Sequence, residues 1–103
     1  QFGNDAVRSA VVDVTDEAAV ITSFATTARE FGGLDIFVAN AGIASAASIE
    51  ETTLELWRKN YGVLVEGYFL TSREAFKSMK ALGGSIIFIA SKNALSASPN
   101  TAA

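Results

Sequence analysis

Apolar and polar positions fall along this chain in blocks that read as strand, helix, strand, long helix, strand. Residues 7–13 (Val-Arg-Ser-Ala-Val-Val-Asp) form a short β-branched run ending on an acid, the pattern of a strand. Thr15 then offers an N-cap, with Asp16 and Glu17 in the first turn, where the helix dipole favours negative charge. Val20, Phe24, Ala28 and Phe31 recur at helical spacing and predict one core-facing stripe. Gly32 and Gly33 end that helix, since glycine accepts a left-handed backbone at little cost. Leu34 to Ala39 predicts a second strand, with Ile36, Phe37 and Val38 apolar in succession as in a strand covered on both faces. A loop of small residues follows to about Glu51. Thr52 and Glu55 then make a capping box, and helical spacing runs over 53–82, about 45 Å at 1.5 Å per residue. Gly83 and Gly84 stop it, and Arg73, Lys77 and Lys80 suit its negative end. Ser85 to Ala90 is too apolar for a wet face and predicts a third strand.

This order predicts an α/β fold in one domain, a doubly wound parallel sheet of three strands and two helices joined by right-handed crossovers. The long helix carries two apolar stripes, Leu54, Trp57, Tyr61, Leu64 and Tyr68 on one side and Val65, Phe69, Phe76 and Met79 on another. A surface helix needs only one. The second stripe means either deep burial within the domain or sharing with a partner subunit.

Composition narrows the chemistry. With 103 residues, 50% of them hydrophobic, and a net charge of −3, the chain suits one folded domain rather than a disordered segment. No apolar run approaches the ~20 residues of a membrane span, so no membrane partner is expected. Eight basic residues against eleven acidic ones leave no stripe for phosphates, so nucleic acid is not an expected partner. The absence of cysteine and histidine excludes thiolate chemistry, a Ser-His-Asp triad and the usual metal ligands; no metal is expected. Catalysis must come from hydroxyls, lysines, carboxylates or a bound cofactor.

In doubly wound folds ligands bind beyond the carboxyl ends of the strands. Here those ends are Asp13-Val14-Thr15, Asn40-Ala41-Gly42 and Ser91-Lys92-Asn93, all small or polar. Singly, Asp13 reads as a helix cap, Asn40 as a turn residue and Ser91 as a strand terminator. Together at one sheet edge they point to a small-molecule or nucleotide site. Gly42 permits close backbone approach, and Asn40 can bridge neighbouring strands.

These residues also resemble the short-chain dehydrogenase/reductase family, over essentially the whole chain. Asp13-Val14-Thr15-Asp16 is similar to the family's Asp-Val-Thr element, whose acid and following backbone hold the adenine. Leu34 to Gly42 is similar to the strand leading into its Asn-Asn-Ala-Gly motif, with Ala39 in place of the first Asn. Gly84 to Ser91 is similar to the strand that ends in the catalytic serine. The resemblance implies a partial Rossmann-type domain and hydride transfer between NAD or NADP and a small alcohol or carbonyl substrate. It implies Asp13, Val14, Asn40, Ala41, Gly42 and Ala90 as coenzyme-binding, Ser91 as catalytic through its polarising hydroxyl, and Asn93 as a substrate-pocket or loop-capping residue. The features around Leu64, Gly67 to Leu70, Ser72 to Phe76 and Ser91 to Ala94 are similar to the dehydrogenase portion of bifunctional rhamnulose-1-phosphate aldolase/alcohol dehydrogenase proteins. That subgroup implies substrates of the lactaldehyde or sugar type.

Three departures qualify the match. The pyrophosphate-seating glycine turn would lie before Gln1, and the family's Tyr-x-x-x-Lys just beyond Ala103. Trp57 and Gly67 align the long helix so that the family's catalytic asparagine falls at Leu64, which cannot hold a relay water; Asn60 and Asn93 are nearby polar groups, Asn60 reading as an exposed helix residue. The chain thus reads as a piece of a longer protein, inactive by itself. Lys92 follows the serine directly and is no substitute for the missing lysine. The family's sheet would leave two missing strands between 7–13 and 34–39. The piece is therefore expected to close into a three-stranded sheet or pair with a second copy, with a homo-oligomer formed through helix 53–82. The cysteine-free sequence and the absence of a charged-then-apolar pattern in its first residues suggest the cytoplasm. The competing reading is a non-catalytic nucleotide-binding or dimerisation module. A phosphoacceptor receiver domain fits less well, because only Asp13 is available for its acidic set.

Overall fold

The computed structural model describes residues 6–96 and 98–103. In chain order they form α1 (Glu17–Phe31), β1 (Ile36–Ala39), α2 (Leu54–Tyr61), a π-helical segment (Gly62–Glu66), α3 (Gly67–Met79), β2 (Ser85–Phe88) and one 3-10 turn (Lys92–Ala94). β1 and β2 pair in parallel, from Ile36 opposite Ser85 to Ala39 opposite Phe88. Two further bonds extend the ladder, Ser85 N to Asp35 O at 2.9 Å and Ile89 N to Ala39 O at 3.0 Å. The fold is α/β with a small parallel sheet, but among the described residues the sheet has two strands where three were predicted. Residues 7–13 join no ladder, and Val11 is fully exposed. A strand needs a partner for its backbone N–H and C=O groups, and β1, the nearest candidate, pairs only with β2. The chain does not close into a three-stranded sheet.

Both N-caps lie one residue later than the sequence pattern predicts, for the same reason. The Thr15 hydroxyl donates to Asp13 Oδ1 at 2.7 Å, so Asp16 caps α1 by accepting from Ala19 N at 3.1 Å. The Thr52 hydroxyl donates back to Ser48 O at 2.7 Å, so Thr53 caps α2 by accepting from Leu56 N at 3.1 Å. Each first threonine stabilises the turn before the helix and leaves the capping to its neighbour. At the other end of α1, Gly32 takes φ 83° and its N–H bonds Ala28 O, the left-handed termination expected of glycine.

The predicted single helix over 53–82 is α2 and α3 joined through the π-helical segment, where Gly67 N bonds Gly62 O across five residues. Its buried face is neither predicted stripe. Gly67, Leu70, Thr71, Glu74, Ala75 and Met79 are buried, where α3 packs on α1 and β1. Met79 alone comes from the predicted stripes, while Phe69 and Phe76 are 60% and 62% exposed. Deep burial of this helix in its own chain is thus not what the structure has. The small residues Gly67 and Ala75 allow close approach, and the large apolar groups are left pointing outward. Across the core Phe24 of α1 meets Phe37 of β1 edge to face, centroids 5.4 Å apart. Among the described residues no helix is long and apolar enough to cross a membrane.

Two glycines set how closely the layers meet. A Cβ on Gly84 would lie 2.7 Å from Asp35 O and 2.8 Å from Met79 Sδ. A Cβ on Gly67 would lie 2.8 Å from Val14 Cγ2 and 3.2 Å from Val14 Cβ, whereas one on Gly62 would meet Thr15 Cγ2 at an ordinary 3.6 Å. The π-helical segment therefore begins on one glycine, Gly62, and is followed by another, Gly67, and both face the Asp13–Thr15 turn. Valine is stiff about χ1, so Gly67→Ala must displace that turn and is expected to destabilise by about 1–3 kcal/mol. Gly62→Ala is expected to be neutral or stabilising by up to about 1 kcal/mol, through helix propensity alone. Chemical denaturation of the two variants checks this; equal effects would remove the contact from the account.

Glu74 is the buried charge of α3. It accepts from Arg73 Nε at 2.8 Å and Lys77 Nζ at 3.1 Å, and Arg73 also reaches Glu17 on α1 at 3.4 Å. The Arg73 hydrogen bond, aided by Lys77 and opposed by desolvation, holds the Glu74 carboxyl below its ordinary value of 4.5. A depressed folded-state pKa stabilises above about 4.5 and loses that contribution as pH falls through the lower folded value. Melting temperature should therefore drop on acidification below that value. Glu74→Gln, though less stable at neutral pH, should show a shallower acid limb.

Candidate functional site

Because β1 and β2 run parallel and in register, the segments leaving their carboxyl ends lie side by side. A cavity of about 600 Å³ opens between them. Asn40 and Gly42 line it from the β1 side, Ala90, Ser91 and Asn93 from the β2 side, and Asn60, Leu64 and Tyr68 from the helix. Among the described residues no side chain lining it is charged; the polar groups are amides and hydroxyls. Such a lining orients a neutral oxygen function through hydrogen bonds.

Ser91 follows β2 directly after Ile89 and Ala90, and it is exposed. Its Oγ accepts from Asn93 N at 3.3 Å, capping the 3-10 turn, which leaves the hydroxyl proton to donate outward. Asn93 lines the cavity while its Oδ1 accepts from Ser98 Oγ at 2.8 Å. Lys92 donates to the same Ser98 hydroxyl at 3.2 Å and does not line the cavity. The loop after β2 folds over the loop after β1, with Ala47 N bonded to Asn100 O at 3.0 Å and Ala47 paired with Thr101.

The Asp13–Thr15 turn stands apart from that cavity. Val14, Asn40, Ala41, Gly67, Tyr68 and Thr71 line a smaller one of about 100 Å³, so Val14 and Ala41 border the same space beside α3. Asp13 lines neither. Its Oδ1 accepts from the Thr15 hydroxyl at 2.7 Å and from Thr15 N at 2.9 Å, and these two bonds lower its pKa. Asp13 thus shapes the entry to α1, while the cap itself is Asp16. Asn40 forms no bridging hydrogen bond between strands among the described residues, since 7–13 makes no ladder beside it.

Asn60 corrects the sequence reading. Predicted exposed, it is buried, and its Nδ2 donates to Ser45 Oγ at 2.8 Å and to Leu56 O at 2.9 Å. A buried amide needs such partners, and the loop after β1 supplies one. Tyr68 was read only as part of an apolar stripe, yet its hydroxyl donates to Ile89 O at 2.7 Å. The signal lay in the spacing, because Asn60 and Tyr68 stand four residues before and after Leu64.

The strand ends fit part of a dinucleotide. A Cβ on Gly42 would meet only Leu64 Cδ2 at 3.7 Å and Asn40 O at 3.9 Å, so the close approach that glycine permits is left open to a ligand.

The family described as short chain dehydrogenase matches residues 1–103. The oxidoreductase YuxG of Bacillus subtilis is 43% identical over 104 residues, 99% of this chain and 15% of that protein. The NADP-dependent (R)-specific alcohol dehydrogenase of Lentilactobacillus kefiri is 42% identical over 91 residues, 86% of this chain and 36% of that enzyme. The crystal structure of a short-chain type dehydrogenase/reductase from Mycobacterium marinum superposes with a TM-score of 0.79 at 36% identity, covering 82% of this chain and 35% of that one. The chain therefore spans 15% of the first relative's length and little over a third of the other two. Members of the family use NAD or NADP. With a match along all 103 residues and a parallel strand pair that opens on a cavity at its carboxyl ends, this chain belongs to the short-chain dehydrogenase family.

Proposed function

We propose that these residues are the central part of an NAD(P)-dependent dehydrogenase acting on a small alcohol or carbonyl substrate. The observation that carries the reading is the uncharged cavity shared by the two strand ends, with Ser91 at its rim. When bound, NAD or NADP accepts or supplies the hydride. Asp13 and Val14 hold the adenine end, and Asn40, Ala41, Gly42 and Ala90 line the coenzyme's course along the strand ends. Ser91 donates its hydroxyl proton in a hydrogen bond to the substrate oxygen and so stabilises charge that develops there. Asn93 borders the substrate, with its amide held by Ser98. Leu64 places an aliphatic wall where the family has a polar one. The proton-transferring tyrosine, its lysine and the glycine-rich pyrophosphate turn belong to parts of the enzyme outside these residues, so the 103 residues alone should be inactive.

The substrates are read as small aldehydes or alcohols of the lactaldehyde or sugar type, on an enzyme that also carries an aldolase domain. The length of YuxG supports a further domain on such an enzyme, since 104 aligned residues are 15% of it while 91 are 36% of the Lentilactobacillus alcohol dehydrogenase. The exposed Leu54, Trp57, Tyr61, Phe69 and Phe76 support a second copy packed on α2 and α3.

Titration of the complete protein with NAD and NADP, followed by Ser91→Ala, tests the assignment. Binding of one coenzyme is expected, and Ser91→Ala should lower kcat by roughly 10²- to 10³-fold with coenzyme affinity unchanged. A protein that binds coenzyme without transferring hydride would instead be the non-catalytic nucleotide-binding module, and one that binds neither coenzyme the dimerisation module. For the interface, light scattering should report at least a dimer that Phe69→Glu with Phe76→Glu converts to monomer; a monomeric parent rejects it.

A further inference from the structure

Among the described residues Tyr68 is the one titratable side chain lining the cavity, four residues past Leu64 along the chain. Its ring stacks on Phe88, the last residue of β2, with centroids 5.7 Å apart and planes at 19°. Its hydroxyl donates to Ile89 O at 2.7 Å. Ile89 N makes the final ladder bond, to Ala39 O at 3.0 Å. Residue 89 is therefore held twice, through its N–H by β1 and through its carbonyl by the helix, and only Ala90 separates it from Ser91. Leu64 has no polar atom with which to make such a tie, and Asn60 is engaged with Ser45 and Leu56.

We propose that Tyr68 is the positioning residue for Ser91: its hydroxyl, bonded to the Ile89 carbonyl, fixes the point at which the chain leaves the sheet and so aims the serine Oγ into the cavity. The ring supplies packing and the hydroxyl supplies direction, so the two contributions separate in Tyr68→Phe. The proposal rests on the dehydrogenase reading above for its catalytic consequence, while the tether itself is measurable without turnover.

The test uses the complete enzyme and Tyr68→Phe, alone and with Ser91→Ala. Loss of one neutral hydrogen bond should speed exchange of the Ile89 amide, which is bonded to Ala39 O, by roughly three- to tenfold and lower kcat by a similar factor. The melting temperature and the KM for coenzyme should stay nearly unchanged, because the Phe88 stack remains. In the Ser91→Ala background the tyrosine substitution should have no further effect on kcat, since a group acting through the serine has nothing left to position. Tyr68→Ala, which also removes the ring, should lower the melting temperature and serves as the packing control. Unchanged exchange in Tyr68→Phe overturns the tether. Faster exchange with unchanged kcat, or an undiminished effect without Ser91, overturns the positioning role. A wild-type enzyme that transfers no hydride overturns the dehydrogenase reading and the catalytic consequence with it, while exchange still judges the tether.

Discussion

The arrangement depends on the approach of α3 to the Asp13–Thr15 turn, so close that position 67 has no room for a methyl group beside Val14. A regular α-helix brings residues three and four apart onto one face. The π-helical segment stretches that spacing to five, so Gly62 and Gly67 both face the turn, the first against Thr15 and the second against Val14. The turn sits in the notch they make. Three consequences follow in sequence. α1, whose entry the turn shapes through Asp13, is set against α3; α3 is set on β1; and Leu64, inside the widened segment, reaches the rim of the cavity. Widened turns of this kind often mark functional sites, and here the widening joins the Asp13–Thr15 turn to the cavity lining at Leu64.

Element order and type were legible in the sequence wherever a local rule decides them. The stop at Gly32 follows from backbone sterics, and the apolar runs at 36–38 and 86–88 mark the two paired strands, although Ile36, Val38, Ile87 and Phe88 are exposed rather than covered on both faces as the runs predicted. The meeting of the segments that leave 36–39 and 85–88 was legible too, because a parallel sheet brings its carboxyl ends together whatever lies between the strands, whereas the end predicted at Asp13–Thr15 follows no strand. What escaped was decided by partners that spacing does not show. Residues 7–13 have the composition of a strand but no neighbour to ladder with. Thr15 and Thr52 have capping chemistry, yet each hydroxyl finds an acceptor upstream at shorter range. The π-helical segment leaves almost no trace in composition, since its glycines look like ordinary weak points in a helix.

The buried face of α3 was missed for a related reason. Hydrophobic periodicity finds large apolar residues, whereas this contact is made by Gly67, Thr71, Glu74 and Ala75, chosen for closeness rather than for size. Thr71 satisfies its hydroxyl on Gly67 O at 2.8 Å, and Glu74 is held by its own helix neighbours, so neither polar group needs a partner across the interface. Two helices can then meet closely on small and internally satisfied residues while Phe69 and Phe76 remain outside.

The cavity shows the same economy of polar groups around Leu64. An aliphatic residue at that place cannot link the helix to either strand end. The two residues flanking it by four positions do so, Asn60 bonding Ser45 in the loop after β1 and Tyr68 bonding Ile89 at the exit of β2. Each strand-end segment is thus tied to the helix once, on opposite sides of an apolar spot. A single asparagine at 64 would have had to serve both segments from one position. Dividing the links between the flanks leaves residue 64 apolar and leaves Ser91, whose Oγ accepts from Asn93 N, to present its hydroxyl to whatever the cavity receives.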